Sequence, residues 1–276
     1  MTIDRRALLG GITGAAMLAP MLTTRAAFAQ DVPPPSGGHE MHGMPPGWVK
    51  PDQIAMLCYE GMTILDMIGP QYMFAALMGA TVHLVGKTKT PMTSDTGVTM
   101  IPTATFDEVP DDLTVLFVPG GTTGTLAAME DAETRAFLAD RGSRAQYVTS
   151  VCTGALVLGA AGLLEGYRAT THWAALETLP DVGAIPVNER VVRDRNRITG
   201  AGVTAGLDFG LTMVAELRDP VYAQGVQLGC EYDPRPPFSA GSTATAPDDV
   251  KAIMQSMYAS FPGRVRKSLS TIGNRG

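Results

Sequence analysis

The chain has 276 residues, 45% of them hydrophobic and 17% charged. That length accommodates one large α/β domain or two small ones with a full core, and the composition excludes a disordered chain or a coiled coil. Its formal net charge of −6 supplies no basic field for neutralising nucleic-acid phosphates. Three cysteines without a C-x-x-C spacing exclude a disulfide scaffold and a four-thiolate zinc site, and leave at least one thiol unpaired.

The first 29 residues read as an address. Arg5 and Arg6 precede an apolar stretch, Ala7 to Leu22, broken by Gly10, Gly11, Gly14 and Pro20; Arg25 and Ala27-Phe28-Ala29 follow. The stretch is short and weakly apolar for a membrane span of about 20 residues. The segment resembles a twin-arginine export signal cut near Ala29, with a Sec signal or an uncleaved amphipathic helix as the other readings. Removing it takes away three arginines and one aspartate, which moves the formal charge from −6 to −8. The body is then expected to be acidic, soluble and periplasmic, with no further membrane segment.

Residues 30–51 are rich in proline and glycine and have no helical or strand period, which predicts an extended, mobile linker. His39, Met41, His42 and Met44 crowd together there. Imidazole and thioether suit soft copper(I) or silver, but the plainer reading is a polar linker that happens to carry two histidines, with no folded frame to fix the ligands.

From Gln53 onward strand and helix alternate. Gln53–Tyr59 is a continuous apolar run, as in a strand buried on both faces; a helix is expected over 67–78 and a second strand over Thr81–Val85. Leu113–Val118 is a third strand, stopped by Pro119-Gly120-Gly121. A helix over 131–141 and a strand over Tyr147–Val151 come next, then a helical run over 154–164. The segment 191–199 reads as a hairpin turning at Asp194-Arg195-Asn196, and helices are expected over 204–217 and 247–258. Such alternation predicts a three-layer α/β/α sandwich with a mostly parallel sheet, whose ligands sit at the carboxyl ends of strands.

Cys152 lies at such an end, between a buried strand and a helix, with Gly154 beside it. A nucleophile in that elbow is exposed at the top of the sheet, and the helix N-terminus favours thiolate over thiol. Asp66 is a lone carboxylate in an apolar run: burial would raise its pKa and let it donate a proton, while a helix N-cap is the plainer role. Gly120 and Gly121 are suited to aiming N–H groups at a developing anion, or form an ordinary turn. His172 starts a helix and either reaches the cysteine or is structural. Cys58 and Cys230 read as structural, although a Cys58–Cys152 oxidation is conceivable.

These motifs together carry a resemblance. Pro119-Gly120-Gly121, the run VCTGALVLGAAGLLEGYRATTHW from Val151, LDMIGP upstream and QLGCEYDPRPPFSAG downstream resemble the DJ-1/PfpI superfamily, of flavodoxin-like fold shared with class I glutamine amidotransferases. The likeness covers essentially all of 53–245. Asp66 with Cys152-Thr153 and the EYDPRPPF segment is similar to its isonitrile hydratase branch. Thr153, where peptidases of the superfamily carry histidine, counts against peptidase activity.

The resemblance implies a lyase that hydrates an isonitrile to an N-substituted formamide without cofactor. Cys152 would be the nucleophile, Asp66 the proton donor, and Thr153 with Gly120 and Gly121 would hold water or charge. It also implies a homodimer. Two other readings use the same residues: a DJ-1-like glyoxalase or stress enzyme, and a periplasmic binder sensing metal or oxidant. A transcription-regulator reading falls, since only about thirty residues follow the EYDPRPPFSAG motif. The expected organisation is a signal over 1–29, a linker over 30–51, the family domain over 52–246, and a C-terminal helix and tail over 247–276.

Overall fold

The computed structural model describes residues 45–273. The predicted signal 1–29 and the His39, Met41, His42 and Met44 cluster lie outside the described residues. In chain order the elements begin with β1 (Gln53–Leu57), α1 (Ile64–Ala75), β2 (Thr81–Gly86), and the short strands β3 (Met92–Thr93), β4 (Thr99–Met100) and β5 (Ala104–Thr105). Then come β6 (Val115–Val118), α2 (Thr122–Glu130), α3 (Ala132–Arg144), β7 (Tyr147–Val151) and α4 (Gly154–Ala160). Beyond β8 (Arg168–Ala169) a 3-10 helix spans Trp173–Thr178, followed by β9 (Ile185–Pro186), β10 (Val191–Asp194) and β11 (Arg197–Gly200). Four helices close the chain: α5 (Ala205–Leu217), α6 (Pro220–Gly229), α7 (Asp248–Tyr258) and α8 (Phe261–Gly273).

The central sheet has the order β10-β11-β7-β6-β1-β2-β5. Every pairing in it is parallel except the β10–β11 hairpin. Side chains alternate between the two faces, as the pleat requires. Ala55, Leu57, Leu116 and Val118 join the core under α2, α3, α4 and α8. Ile54, Met56, Val115 and Phe117 join the core under α1, α5 and α6. This is the expected three-layer sandwich. Register sets Val118 opposite Ser150 and Gly200 opposite Val151, so the carboxyl ends of β6, β7 and β11 share one edge, where the site lies.

Several boundaries differ from expectation. Helix α1 begins at Ile64, so Asp66 sits in its first turn and Thr63 takes the N-cap position. Asp66 is therefore not the cap. Helix α4 stops at Ala160, and Gly162 takes a φ of +75° just beyond it. Helices α2, α6 and α8 were not anticipated: α2 is a run of small residues without an apolar stripe, and such a helix is stabilised by packing rather than by its own period.

The final residues of the predicted mobile linker are docked. The Trp48 indole N–H donates to Asp219 at 2.6 Å, and the ring meets Tyr222 edge-on at 4.9 Å. The C-terminal segment is likewise part of the body. Phe261 and Val265 of α8 are buried in the core, and the Ser268 hydroxyl donates to Glu130 at 2.6 Å.

Candidate active site

Cys152 follows β7 directly and takes a φ of +56°, a left-handed conformation that costs free energy for an L residue and persists only where surroundings over-determine it. Here they do. Its N–H donates to the carbonyls of Gly200 and Ala201 at 3.1 and 2.8 Å, and its carbonyl accepts the Thr171 hydroxyl at 2.8 Å. Gly154 completes the elbow, since a Cβ there would stand 2.2 Å from the Val118 carbonyl oxygen. The thiol is buried yet lines a cavity of about 140 Å³.

Asp66 is fully buried behind that thiol. Its Oδ2 accepts the Gly120 N–H at 2.9 Å, while Oδ1 has no hydrogen-bond partner among the described residues. Burial is the largest influence on this carboxyl and raises it to about 7, against the lowering effect of the Cys152 thiol and the Gly120 N–H; the charge of Asp95 raises it further. The carboxyl can thus hold or release a proton near neutral pH. Because thiol and carboxyl interact, they titrate as a pair.

The thiol itself departs from the sequence expectation. The N–H groups of Val203 and Thr153 favour its thiolate, but burial, with the Asp66 charge behind it, pushes the Cys152 thiol well above its ordinary value. The helix N-terminus is outweighed by desolvation. Burial thus favours the neutral thiol, and Asp66 is the titratable group that interacts with it.

The two glycines also differ from expectation. The Gly120 N–H is taken by Asp66, and the Gly121 N–H by the Thr153 hydroxyl oxygen at 3.0 Å. Neither N–H points free into the cavity, so their part is to hold the carboxylate and Thr153 in place. Close packing explains why both are glycine. A Cβ at Gly120 would come within 2.6 Å of Thr153 N, and one at Gly121 within 2.6 Å of the Gly61 carbonyl.

Thr153 continues a buried chain of hydroxyls. Its Oγ1 lies 2.7 Å from Thr125 Oγ1, which in turn lies 3.4 Å from the Tyr59 hydroxyl; Tyr59 donates to the Pro119 carbonyl at 2.7 Å.

His172 lines the same cavity as Cys152. It caps the 3-10 helix, its Nδ1 accepting the Ala174 N–H at 3.3 Å, and burial lowers its pKa. Burial thus disfavours the charged ring, and an accepting Nδ1 corresponds to the tautomer with its proton on Nε2. It makes no hydrogen bond to Cys152 among the described residues, so a triad-type pairing of the two is absent there.

Sequence reasoning missed the rest of the cavity wall. Thr63, Asp95, Val203, Tyr258 and Phe261 also line the cavity. Asp95 comes from the β3–β4 hairpin, which is too short to leave a period, and its carboxylate accepts the Ile64 N–H at 3.2 Å. Cys58 directly follows β1, in the same apolar cluster as Cys152, but it opens on a different cavity. Burial pushes its thiol to about 12. All three cysteines are free, and Cys230 donates to the Gln227 carbonyl.

Comparison with known proteins agrees with this architecture. The chain is 52% identical over 198 residues to an isonitrile hydratase from Pseudomonas putida, covering 72% of this chain and 86% of that protein. A solved THiJ/PfpI family protein from Pseudomonas syringae superposes with a TM-score of 0.80 at 58% identity, over 83% of this chain and 98% of that one. DJ-1beta from Drosophila melanogaster, at 21% identity and a TM-score of 0.59, covers 66% of this chain and all of its own, and shows the shared fold. The profile of the DJ-1/PfpI family matches residues 52–216, and the chain belongs to that family.

Proposed function

We propose that the chain is an isonitrile hydratase, a lyase that adds water to R–N≡C and releases the N-substituted formamide R–NH–CHO. The observation that carries this reading is the buried Asp66–Cys152 pair at the elbow, in a chain 52% identical to an isonitrile hydratase. An isonitrile needs one carbon to receive both a nucleophile and a proton, and an acid able to give and take a proton beside a thiol meets that demand.

In this mechanism Asp66 takes the thiol proton as the sulfur bonds the terminal carbon, then passes that proton to the same carbon. The product is a thioimidate, R–N=CH–S–Cys152. Water in the cavity, which Thr63 and Thr153 line, adds to that carbon. The C–S bond breaks, one water proton ends on nitrogen and the other on sulfur, and the formamide leaves. His172 presents its Nε2–H from the cavity wall as a donor for substrate or product, and Gly120 and Gly121 act by holding Asp66 and Thr153.

The twin-arginine motif at Arg5-Arg6 and the small residues before position 30 support export to the periplasm. Exposed apolar side chains on neighbouring helices, Ile68 and Tyr72 on α1 and Val221 and Leu228 on α6, support a homodimer.

The decisive test incubates the full chain with cyclohexyl isonitrile and, separately, with methylglyoxal. N-cyclohexylformamide is expected from the first and no lactate from the second. Lactate without formamide would replace hydration with the glyoxalase reading.

A further inference from the structure

We propose that Tyr258, at the end of α7, is the wall that sets which isonitrile substituent the site accepts. The inference rests on the hydratase reading above and adds to it the determinant of substrate size. It starts from the mixed lining of one cavity, in which Cys152 and the polar Thr63, Thr153 and Asp95 share the wall with the aromatic rings of Tyr258 and Phe261. An isonitrile has the same two-part chemistry, with a reactive carbon at one end and a hydrocarbon substituent at the other.

The aromatic lining comes from outside the residues that match the family. The family match ends at residue 216, whereas Tyr258 and Phe261 lie on α7 and α8. Cys152 and Asp66 thus lie in the part common to the family, and these two rings on the C-terminal helices. Helix α8 is fixed to the body by buried Phe261 and Val265 and by an Arg266–Asp181 contact at 2.9 Å. Helix α7 buries none of its residues. What holds Tyr258 is an aromatic set: its ring lies 5.4 Å from His172 and 5.5 Å from Trp173, edge-on to the latter. Those spacings fall within the range of favourable aromatic pairs.

With a cavity of about 140 Å³, removing or enlarging one ring changes the available space substantially. Apolar pockets discriminate by about tenfold or more for a single methylene, so the effect of a whole ring is readable as a change of preference. The tyrosine ring, rather than its hydroxyl, carries the proposal.

The test compares the full-length wild-type chain with Tyr258→Ala, Tyr258→Phe and Tyr258→Trp. The first readout is the ratio of kcat/KM for a branched isonitrile to that for a small linear one. Tyr258→Ala is expected to raise that ratio by about tenfold or more, Tyr258→Trp to lower it, and Tyr258→Phe to leave it within about twofold. The second readout is independent of turnover: the rate at which iodoacetamide, or its bulkier N-phenyl analogue, alkylates the Cys152 thiol through the same cavity. The bulky-to-small alkylation ratio is expected to move in the same directions. Ratios unchanged in both Tyr258→Ala and Tyr258→Trp, in proteins whose circular dichroism matches wild type, would overturn the proposal. Absence of formamide from every isonitrile with the wild-type chain would instead overturn the hydratase reading, and the alkylation ratio alone would then decide whether Tyr258 is the wall.

Discussion

The Gly120 N–H donates to Asp66 Oδ2 at 2.9 Å, joining residues 54 apart in the chain. A loop glycine that reads as an anion binder in sequence is the clamp on the acid. Its hydrogen bond occupies Oδ2, while Oδ1 is buried without a hydrogen-bond partner among the described residues, and the carboxyl interacts with the Cys152 thiol. The relationship makes the site sensitive to substitutions that never touch the sulfur.

Gly120→Ala is the direct probe of that clamp. A Cβ would come 2.8 Å from Asp66 Oδ2 and 2.7 Å from Thr153 Oγ1, so both side chains must move. Displacements of about 1 Å at a catalytic group cost about 100-fold in rate. Turnover is expected to fall by that order while Cys152 still reacts with iodoacetamide, and retention of full kcat would refute the clamp.

Replacement of Cys152 by alanine or serine is expected to abolish formamide formation. In the wild-type chain, acid-quenched mass spectrometry during turnover should detect an adduct equal to the isonitrile mass on the peptide containing Cys152. Turnover surviving in Cys152→Ala would exclude covalent addition.

The pH dependence follows from Asp66. The native carboxyl sits at about 7, above the ordinary 3.8, so between these values the native protein binds a proton that the unfolded chain does not. Its contribution to stability is full below about pH 4 and is lost as pH rises through about 7, by on the order of 4 kcal/mol. Thermal denaturation from pH 4 to 8 is expected to show a smaller loss of Tm in Asp66→Asn than in wild type. Formamide production should rise with pH through about 7, as the carboxylate becomes able to take the thiol proton. Asp95→Asn removes a charge that raises Asp66, and should move that rise to lower pH.

Thr153→Val tests the buried hydroxyl chain. It keeps the shape but strands the Gly121 N–H and the Thr125 hydroxyl, which now meet Thr153 Oγ1 at 3.0 and 2.7 Å. A buried polar group left unpaired costs about 1–3 kcal/mol. Chemical denaturation should show that loss, and Thr153→Ser should restore most of it.

A further prediction concerns the start of the domain. Arg218 is buried, with Nη1 on Asp52 at 2.6 Å, Nε on the Trp48 carbonyl at 2.7 Å and Nη2 on the Met78 carbonyl at 2.9 Å. Arg218→Met leaves Asp52 and the Trp48 carbonyl unpaired, while the Met78 carbonyl keeps the Lys50 N–H at 3.1 Å. Breaking a buried pair costs about 3–5 kcal/mol, a loss that calorimetry can read as a drop in Tm of roughly 10 °C. Deleting residues 45–51 should destabilise through the same contacts, which a freely mobile linker would not do.

The buried strands, their parallel order and the strand–helix elbow at Cys152 were legible because each is encoded locally. Strands covered on both faces need unbroken apolar runs such as Ile54–Leu57, and an elbow needs a small residue such as Gly154 beside the nucleophile. The placement of Asp66 in the first turn of α1 was nearly legible, since its apolar neighbours announce burial. Helix α2 was not, because small residues with no apolar stripe leave no period to read. Asp95, Tyr258 and Phe261 were also invisible, as only long-range packing brings them into the cavity that Cys152 lines.

The sequence by itself determined the alternating α/β architecture, the strand–helix elbow position of Cys152 and the isolation of Asp66 among apolar side chains, whereas the expected exposure of the sulfur gives way to burial. Only the tertiary structure decided the protonation and the partners of these groups. Burial around Cys152 outweighs the helix N-terminus and keeps the sulfur protonated, and the Gly120 and Gly121 N–H groups are committed to Asp66 and Thr153. The physical reason is that desolvation and hydrogen-bond competition depend on everything packed around a group, most of it distant in the chain, whereas strand and helix patterns depend on neighbours a few residues away.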